Sequence, residues 1–251
     1  MSFLTDKSNR LFLILAGFFL ANTLIAEFIG VKIFSLEASL GIAELHWSIF
    51  GIKGTNLTAG VILWPVVFIM TDIINEYYGA KGVRFLSNLA AGLISYGFFM
   101  VYAAIQLAPA TWWQTGKIEA GVPDMQAAFA AIFGQGLWII GGSLLAFFLG
   151  QLIDVLVFHQ IKKRTGEKWV FLRATGSTLV SQLIDSFVVL YVAFVLGGTW
   201  TLEQLWNVGM VNYIYKFSLA IALTPLLYLV HFAIDSYLGK EKAAEIGRAH
   251  V

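Results

Sequence analysis

The chain contains no cysteine. That excludes disulfides, thiol nucleophiles and thiolate metal sites. Charge is scarce as well: 12% of the 251 residues are Asp, Glu, Lys or Arg, against about 25% in a soluble domain. The net charge of +1 leaves no basic surface of the kind nucleic acid requires, so no nucleic-acid partner is expected. His46, His159, His231 and His250 are scattered without HExxH or other ligand spacing, and no metal centre is expected. There is no GxSxG elbow, no GxxxxGK[ST] phosphate loop and no Ser/His pair at useful spacing. The sequence therefore nominates no catalytic residue and no cofactor, and it reads as a non-enzyme.

What fills the chain instead is apolar. Hydrophobic residues make up 59%, and the mean hydropathy is +0.78. This excludes an ordinary soluble domain, which is about 45–50% apolar, and predicts an all-α integral membrane protein whose solvent is the lipid bilayer. A spanning helix needs about 20 mostly apolar residues. Six segments qualify: 11–31, 57–76, 84–107, 135–159, 176–197 and 207–231. The stretch 125–133 is too short to cross and reads as an interfacial helix leading into the fourth span. The loop before it carries Pro109, Trp112, Trp113 and Pro123, which suits aromatic anchoring at a membrane surface.

Basic residues orient the spans. Lys7 and Arg10, Lys81 and Arg84, the cluster Lys162, Lys163, Arg164, Lys168 and Arg173, and Lys240, Lys242 and Arg248 fall on one side; Lys32, Lys53 and Lys117 fall on the other. The positive-inside rule then puts both termini in the cytoplasm of a multi-pass inner-membrane protein. The first apolar run, Leu11 to Ile29, is too long for the core of a cleavable signal and reads as a retained helix. Residues 1–245 read as one transporter domain. Residues 246–251 match the translation of a sequencing-adapter string and read as a non-native tail.

Charges inside the spans are the informative feature, because each costs at least about 2.5–3.5 kcal/mol at mid-membrane. Asp72, Asn75 and Glu76 share one helical face at i, i+3 and i+4. Gln151 and Asp154 are spaced i, i+3, and Gln182 and Asp185 repeat that spacing. The two copies of Gln-Leu-Ile-Asp lie 31 residues apart, which fits either a decayed repeat or chance. Asn212 and Lys216 are at i, i+4 in the last span, where Lys216 can pair with Asp154 or Asp185. A carboxylate can accept two N–H bonds from a guanine-like edge while the amide beside it covers a neighbouring carbonyl or ring nitrogen. The plain alternatives are interhelical glue for the Gln/Asp pairs and a solvated helix end for Glu76. Glu27 falls near the outer surface on this reading and is given no role. Pro65 and Pro225 fall inside helices, where they would kink the chain. Trp64, Phe68, Tyr96, Phe147, Tyr191, Tyr213 and Tyr215 are candidates to stack a flat ring.

The segment from Trp64-Pro65 through Thr71-Asp72-Ile73-Ile74-Asn75-Glu76-Tyr77-Tyr78-Gly79-Ala80-Lys81 resembles the signature of the queuosine precursor transporter family, also called the vitamin uptake transporter family. Leu149-Gly150-Gln151-Leu152-Ile153-Asp154 with Phe158, Arg173 to Thr178 running on to Asp185, and Asn212-Tyr213 with Lys216 and Pro225 resemble it too. The resemblance spans roughly residues 11–235. It implies import of 7-deazaguanine precursors such as 7-cyano- and 7-aminomethyl-7-deazaguanine. It also implies a polar set of Asp72, Asn75, Glu76, Gln151, Asp154, Gln182, Asp185 and Lys216. Asn212 stands where other members can carry an acid.

The expectation is an importer in which Asp154 and Asp185 hold the substrate edge, Gln151 and Gln182 complete the hydrogen bonds, and Lys216 balances charge beside Asn212. Asp72, Asn75 and Glu76 gate or couple at the cytoplasmic mouth. The alternative is a substrate-binding membrane subunit that needs a separate ATP-driven module. Self-association into a homodimer is left open.

Overall fold

The computed structural model describes residues 5–43, 46–47, 52–53, 55–134, 137–165, 169–198, 200–239 and 246. The side chains of Arg173 and Thr178 and the tail 247–251 lie outside the described residues.

Helix α1 (Lys7–Ile29) starts where the Asp6 carboxylate accepts from the Ser8 amide at 2.8 Å, a side-chain N-cap. Leu11, Leu15, Phe19 and Ala26 are buried while Leu13, Ile14, Phe18 and Ile25 are exposed. A helix apolar on every side is what protein on one face and lipid on the other require. Its polar residues Asn22, Thr23 and Glu27 all lie on the buried face.

A compact extramembrane-type segment follows. Strand β1 (Ile33–Ser35) leads into the short helix α2 (Leu36–Leu40). Strands β2 (His46–Trp47) and β3 (Ile52–Lys53) pair with each other, and β4 (Asn56–Thr58) returns antiparallel to β1, with Phe34 opposite Leu57. Glu37 latches this return. Its carboxylate accepts from the Thr55 amide at 2.7 Å and from the Ser35 hydroxyl at 3.1 Å. Burial alone would raise its pKa, but these hydrogen bonds outweigh burial and hold it below the usual carboxylate range.

Next come a 3-10 turn, Ala59–Ile62, and helix α3 (Trp64–Gln106). The segment 57–76 thus begins as strand and turn and becomes helix only at Trp64. The turn lies on α1 because Gly60 has no side chain: a Cβ there would stand 2.7 Å from the Ala26 carbonyl oxygen.

Helix α3 is a folded-back pair. Thr71 and Ser87 donate to the same Gln151 carbonyl oxygen, at 3.1 and 3.3 Å. In a straight helix they would be about 24 Å apart along the axis. The reversal is at Gly79, with φ 67 and ψ −179, a region essentially reserved for glycine.

Helix α4 (Thr111–Gln114) and helix α5 (Met125–Phe133) follow. The Asp124 carboxylate starts α5 by accepting from the Gln126 and Ala127 amides. The short helix expected over 125–133 is thus present. Helix α6 (Leu137–Thr165) runs on through Lys162, Lys163 and Arg164, where basic residues complement the helix C-terminus. Helix α7 (Val170–Leu190) packs antiparallel on α6 and continues as a π-helical turn, Tyr191–Val195. The Thr201/Gln204 capping box opens helix α8 (Leu202–Ala222). Helix α9 (Thr224–Leu238) meets it at 46°. Pro65 and Pro225 each sit in the first turn of a helix, where a missing N–H costs nothing, and not in a helix interior as the sequence suggested. Pro225 instead accounts for the break between α8 and α9.

Among the described residues, Lys7–Ile29, Trp64–Gln106, Met125–Thr165 and Leu179–Leu196 are long and apolar enough to cross a membrane. The bent pair Leu202–Leu219 and Thr224–Leu238 makes a fifth if counted as one. The protein is a mainly helical membrane protein. Its core joins α1, both legs of α3, α6 and α9 through Leu15, Phe19, Val67, Ile73, Leu86, Phe147, Val155 and Ile234.

Two outcomes follow. Gly79→Ala should cost about 1–3 kcal/mol and lower the Tm in detergent. Gly92→Ala, whose added methyl meets open space, should leave the Tm unchanged. For Glu37, the depressed pKa means that its stabilising contribution is complete above the unfolded value of 4.5 and fades as pH falls below it. The protection factor of the Thr55 amide, the unprotected exchange rate at the same pH divided by its own, should therefore fall below about pH 4.5, and Glu37→Gln should largely remove that dependence.

Candidate functional site

Helix α6 arranges the polar interior in tiers. Ser143 near its start lines a cavity of about 390 Å³, within the range of small-molecule sites. Two turns on, Gln151 and Asp154 are buried, at 2% and 0% exposure. Farther along, His159 and Lys162 meet Asn75 and Glu76. From Ser143 to Lys162 the helix rises about 28 Å, close to the thickness of a bilayer's hydrocarbon core.

The cavity is bounded by α1 (Ala26, Glu27), the β1/β4 return (Ile33, Thr58), Trp64, the start of α6, the end of α7 and Asn212 and Lys216 of α8. Lys216 Nζ contacts Asp185 Oδ2 at 2.5 Å. Of the two carboxylates the sequence offered to Lys216, Asp185 is its partner. Asn212 uses its amide to bond the Val208 carbonyl one turn back. Ser186 also lines the cavity, and its hydroxyl is buried without a partner among the described residues.

Beneath the cavity lies a buried polar layer. Gln151 accepts from Thr71 and Ser87, so one side chain on α6 ties together both legs of α3. Asp154 Oδ1 accepts from Ser181 at 3.1 Å. Three atoms of the layer are buried without a partner among the described residues: the Gln151 amide nitrogen, Asp154 Oδ2 and Gln182 Oε1. Buried polar groups are nearly always satisfied by protein, water or ligand. The antiparallel packing of α6 and α7 sets the two Gln-Leu-Ile-Asp copies head to tail, with Gly150 against Asp185 and Asp154 against Ser181.

The third tier closes the far end. Asn75 Oδ1 lies 3.1 Å from His159 Nε2, and Glu76 pairs with Lys162 at 3.7 Å. Asp72 is buried one turn nearer the layer. Beside it the Tyr77 hydroxyl donates to Asp235 at 2.8 Å and lies 3.0 Å from His231 Nδ1. The Tyr78 hydroxyl donates to the Ser8 carbonyl, and Lys7 donates to the Tyr237 carbonyl. The N-terminal end of α1, the fold in α3, the C-terminal end of α6 and α9 therefore meet at one end of the bundle. Trp64 lines the cavity and packs on Phe147. Tyr96 and Tyr191 are exposed at 62% and 42% and sit away from it.

The sequence-predicted residues thus separate into three groups. Asp185, Asn212 and Lys216 face the cavity; Gln151, Asp154 and Gln182 form the layer; Asp72, Asn75 and Glu76 cluster at the far end. Glu27, read from sequence as near the outer surface, is 6% exposed and lines the cavity. The signal available was its place on the same helix as Asn22 and Thr23. The Tyr77, His231 and Asp235 cluster went unread.

Comparison with known proteins agrees with this architecture. Residues 58–230 match the family described as "Putative vitamin uptake transporter". The chain belongs to this family. It is 30% identical over 70% of its length to a "Probable queuosine precursor transporter" of Bacillus subtilis, covering 72% of that protein. It is 26% identical to the "Queuosine precursor transporter" of Escherichia coli, over 70% of this chain and 73% of that one. No solved structure matches. All three tiers contain residues within the family-matched stretch, whereas Glu27 lies outside it.

The Lys216–Asp185 pair has a measurable weight. Lys216→Met would leave the partly buried Asp185 without its countercharge, which costs at most about 3–5 kcal/mol. The double change Lys216→Met with Asp185→Leu should recover most of the lost Tm in detergent, because no uncompensated charge remains.

Proposed function

We propose that this protein imports queuosine precursors across the cell inner membrane, taking 7-deazaguanines such as the 7-cyano and 7-aminomethyl compounds as substrates. The observation that carries the reading is the polar column itself. It runs for a membrane's thickness inside an otherwise apolar helical bundle, in a chain whose relatives are named as transporters of these compounds. Six crossings account for the column if the two legs of α3 and the bent α8–α9 pair each serve as spans. The end holding Lys7, Lys81 and Lys162 is then cytoplasmic, with both termini, and the cavity opens to the opposite side.

In this reading a deazaguanine lies on Trp64 in the cavity and donates its N–H edge to Asp185, while Lys216 balances the charge of that carboxylate. Asp154 Oδ2, the Gln151 amide nitrogen and Gln182 Oε1 form the next set of partners, two acceptors and one donor turned toward a ring rich in both. Asp72, Asn75 and Glu76 seal the far end, and opening it requires parting Glu76 from Lys162.

Complementation tests the proposal. In a bacterium that neither makes nor imports the precursor, the chain alone, supplied with 7-cyano-7-deazaguanine, should restore queuosine in tRNA. Asp154→Asn and Asp185→Asn should each abolish it while the protein still reaches the membrane. Normal restoration by both variants would overturn the site. Failure of the native chain, shown to be present in the membrane, would favour a binding subunit that depends on an energising partner.

A further inference from the structure

Three charged side chains from three helices face the cavity among the described residues: Glu27 of α1, Asp185 of α7 and Lys216 of α8. That is two acids against one base. Lys216 is committed to Asp185 by direct contact, so the pair is internally neutral and Glu27 has no basic side chain of its own in the cavity wall. Glu27 is 6% exposed. Ser143 of α6 and Asp185 line the same cavity. A buried carboxylate in that setting calls for a positively charged partner. The 3-10 turn is seated against α1 at Ala26, next to Glu27, by the absence of a side chain at Gly60.

Resting on the import reading above, we infer that Glu27 is the specificity residue for a cationic arm on the substrate. It accepts from a protonated primary amine carried by the ring, while the Asp185 side of the cavity takes the planar edge. The cavity then prefers an aminomethyl-bearing deazaguanine over its neutral nitrile counterpart, and the preference is encoded outside the family-matched residues 58–230.

Binding to the purified full-length protein in detergent tests this, with 7-aminomethyl- and 7-cyano-7-deazaguanine as the two probes. The native protein should bind the amine at least tenfold more tightly. Glu27→Gln, which keeps the size, should weaken amine binding at least tenfold and leave nitrile binding within twofold. Glu27→Asp should retain part of the amine preference. Retained nitrile affinity reports that the variant is folded. Equal loss of both probes, or no loss of either, would overturn the assignment while leaving the import reading intact. Binding of neither probe by the native protein would overturn both.

Discussion

Inside this bundle a polar side chain has no water to fall back on, and that constraint organises the rest. Gln151 shows it most directly. Its carbonyl oxygen takes hydrogen bonds from Thr71 and Ser87, residues on opposite legs of one folded helix. The reversal at Gly79 is what lets both reach it. The same side chain keeps its amide nitrogen unpartnered among the described residues. A group that is half structural staple and half open donor can hold helices together and still have a hydrogen bond to offer. The Lys216–Asp185 pair follows the same logic with charge: two ions that would each be prohibitive alone are carried into the interior together.

Much of the interior was legible because a membrane protein inverts the usual pattern. Where apolar residues cover every face of a helix, periodicity of hydrophobicity says little, and the rare polar residues mark the inward side. The i, i+3 spacing of Gln151 with Asp154 and of Gln182 with Asp185 put each pair on one face, and all four are turned from lipid. The choice of Asp185 over Asp154 as the partner of Lys216 was not legible, because it depends on how α7 and α8 cross. That Glu27 is covered by protein at its end of α1 was not legible for a related reason. Its distance along α1 was readable, but the strand pair and 3-10 turn that cover that end of the helix are short, and they are held by a latch at Glu37 that no local pattern announces. Tyr77, His231 and Asp235 meet across 154 and 158 residues of sequence, and nothing near any one of them points to the others.

The two Gln-Leu-Ile-Asp copies gain a physical meaning from their setting. On antiparallel neighbours, a segment and its duplicate run head to tail. Each glutamine then comes level with the other copy's aspartate, instead of like facing like. That places an amide opposite a carboxylate on both sides of the α6–α7 seam, avoiding the repulsion of two facing acids. The arrangement has approximate twofold character, whatever its origin. The two ends of it are not equivalent, since Lys216 approaches Asp185 while Ser181 serves Asp154. One carboxylate is balanced by a full charge and the other by a hydroxyl.

That asymmetry bears on direction. The cavity reaches Asp185 but stops above Gln151 and Asp154, and below them Glu76 and Lys162 close the far end. Two barriers in series therefore separate the cavity from the basic end of the bundle. The upper one is made of hydrogen bonds from Thr71 and Ser87 to Gln151, each worth about 1 kcal/mol net; the lower includes the ion pair between Glu76 and the buried Lys162. Whatever moves from the cavity toward the basic end must therefore displace the hydrogen bonds to Gln151 and part Glu76 from Lys162. The cavity and the ion pair at the far end thus lie on opposite sides of the polar layer, so the column is interrupted between them.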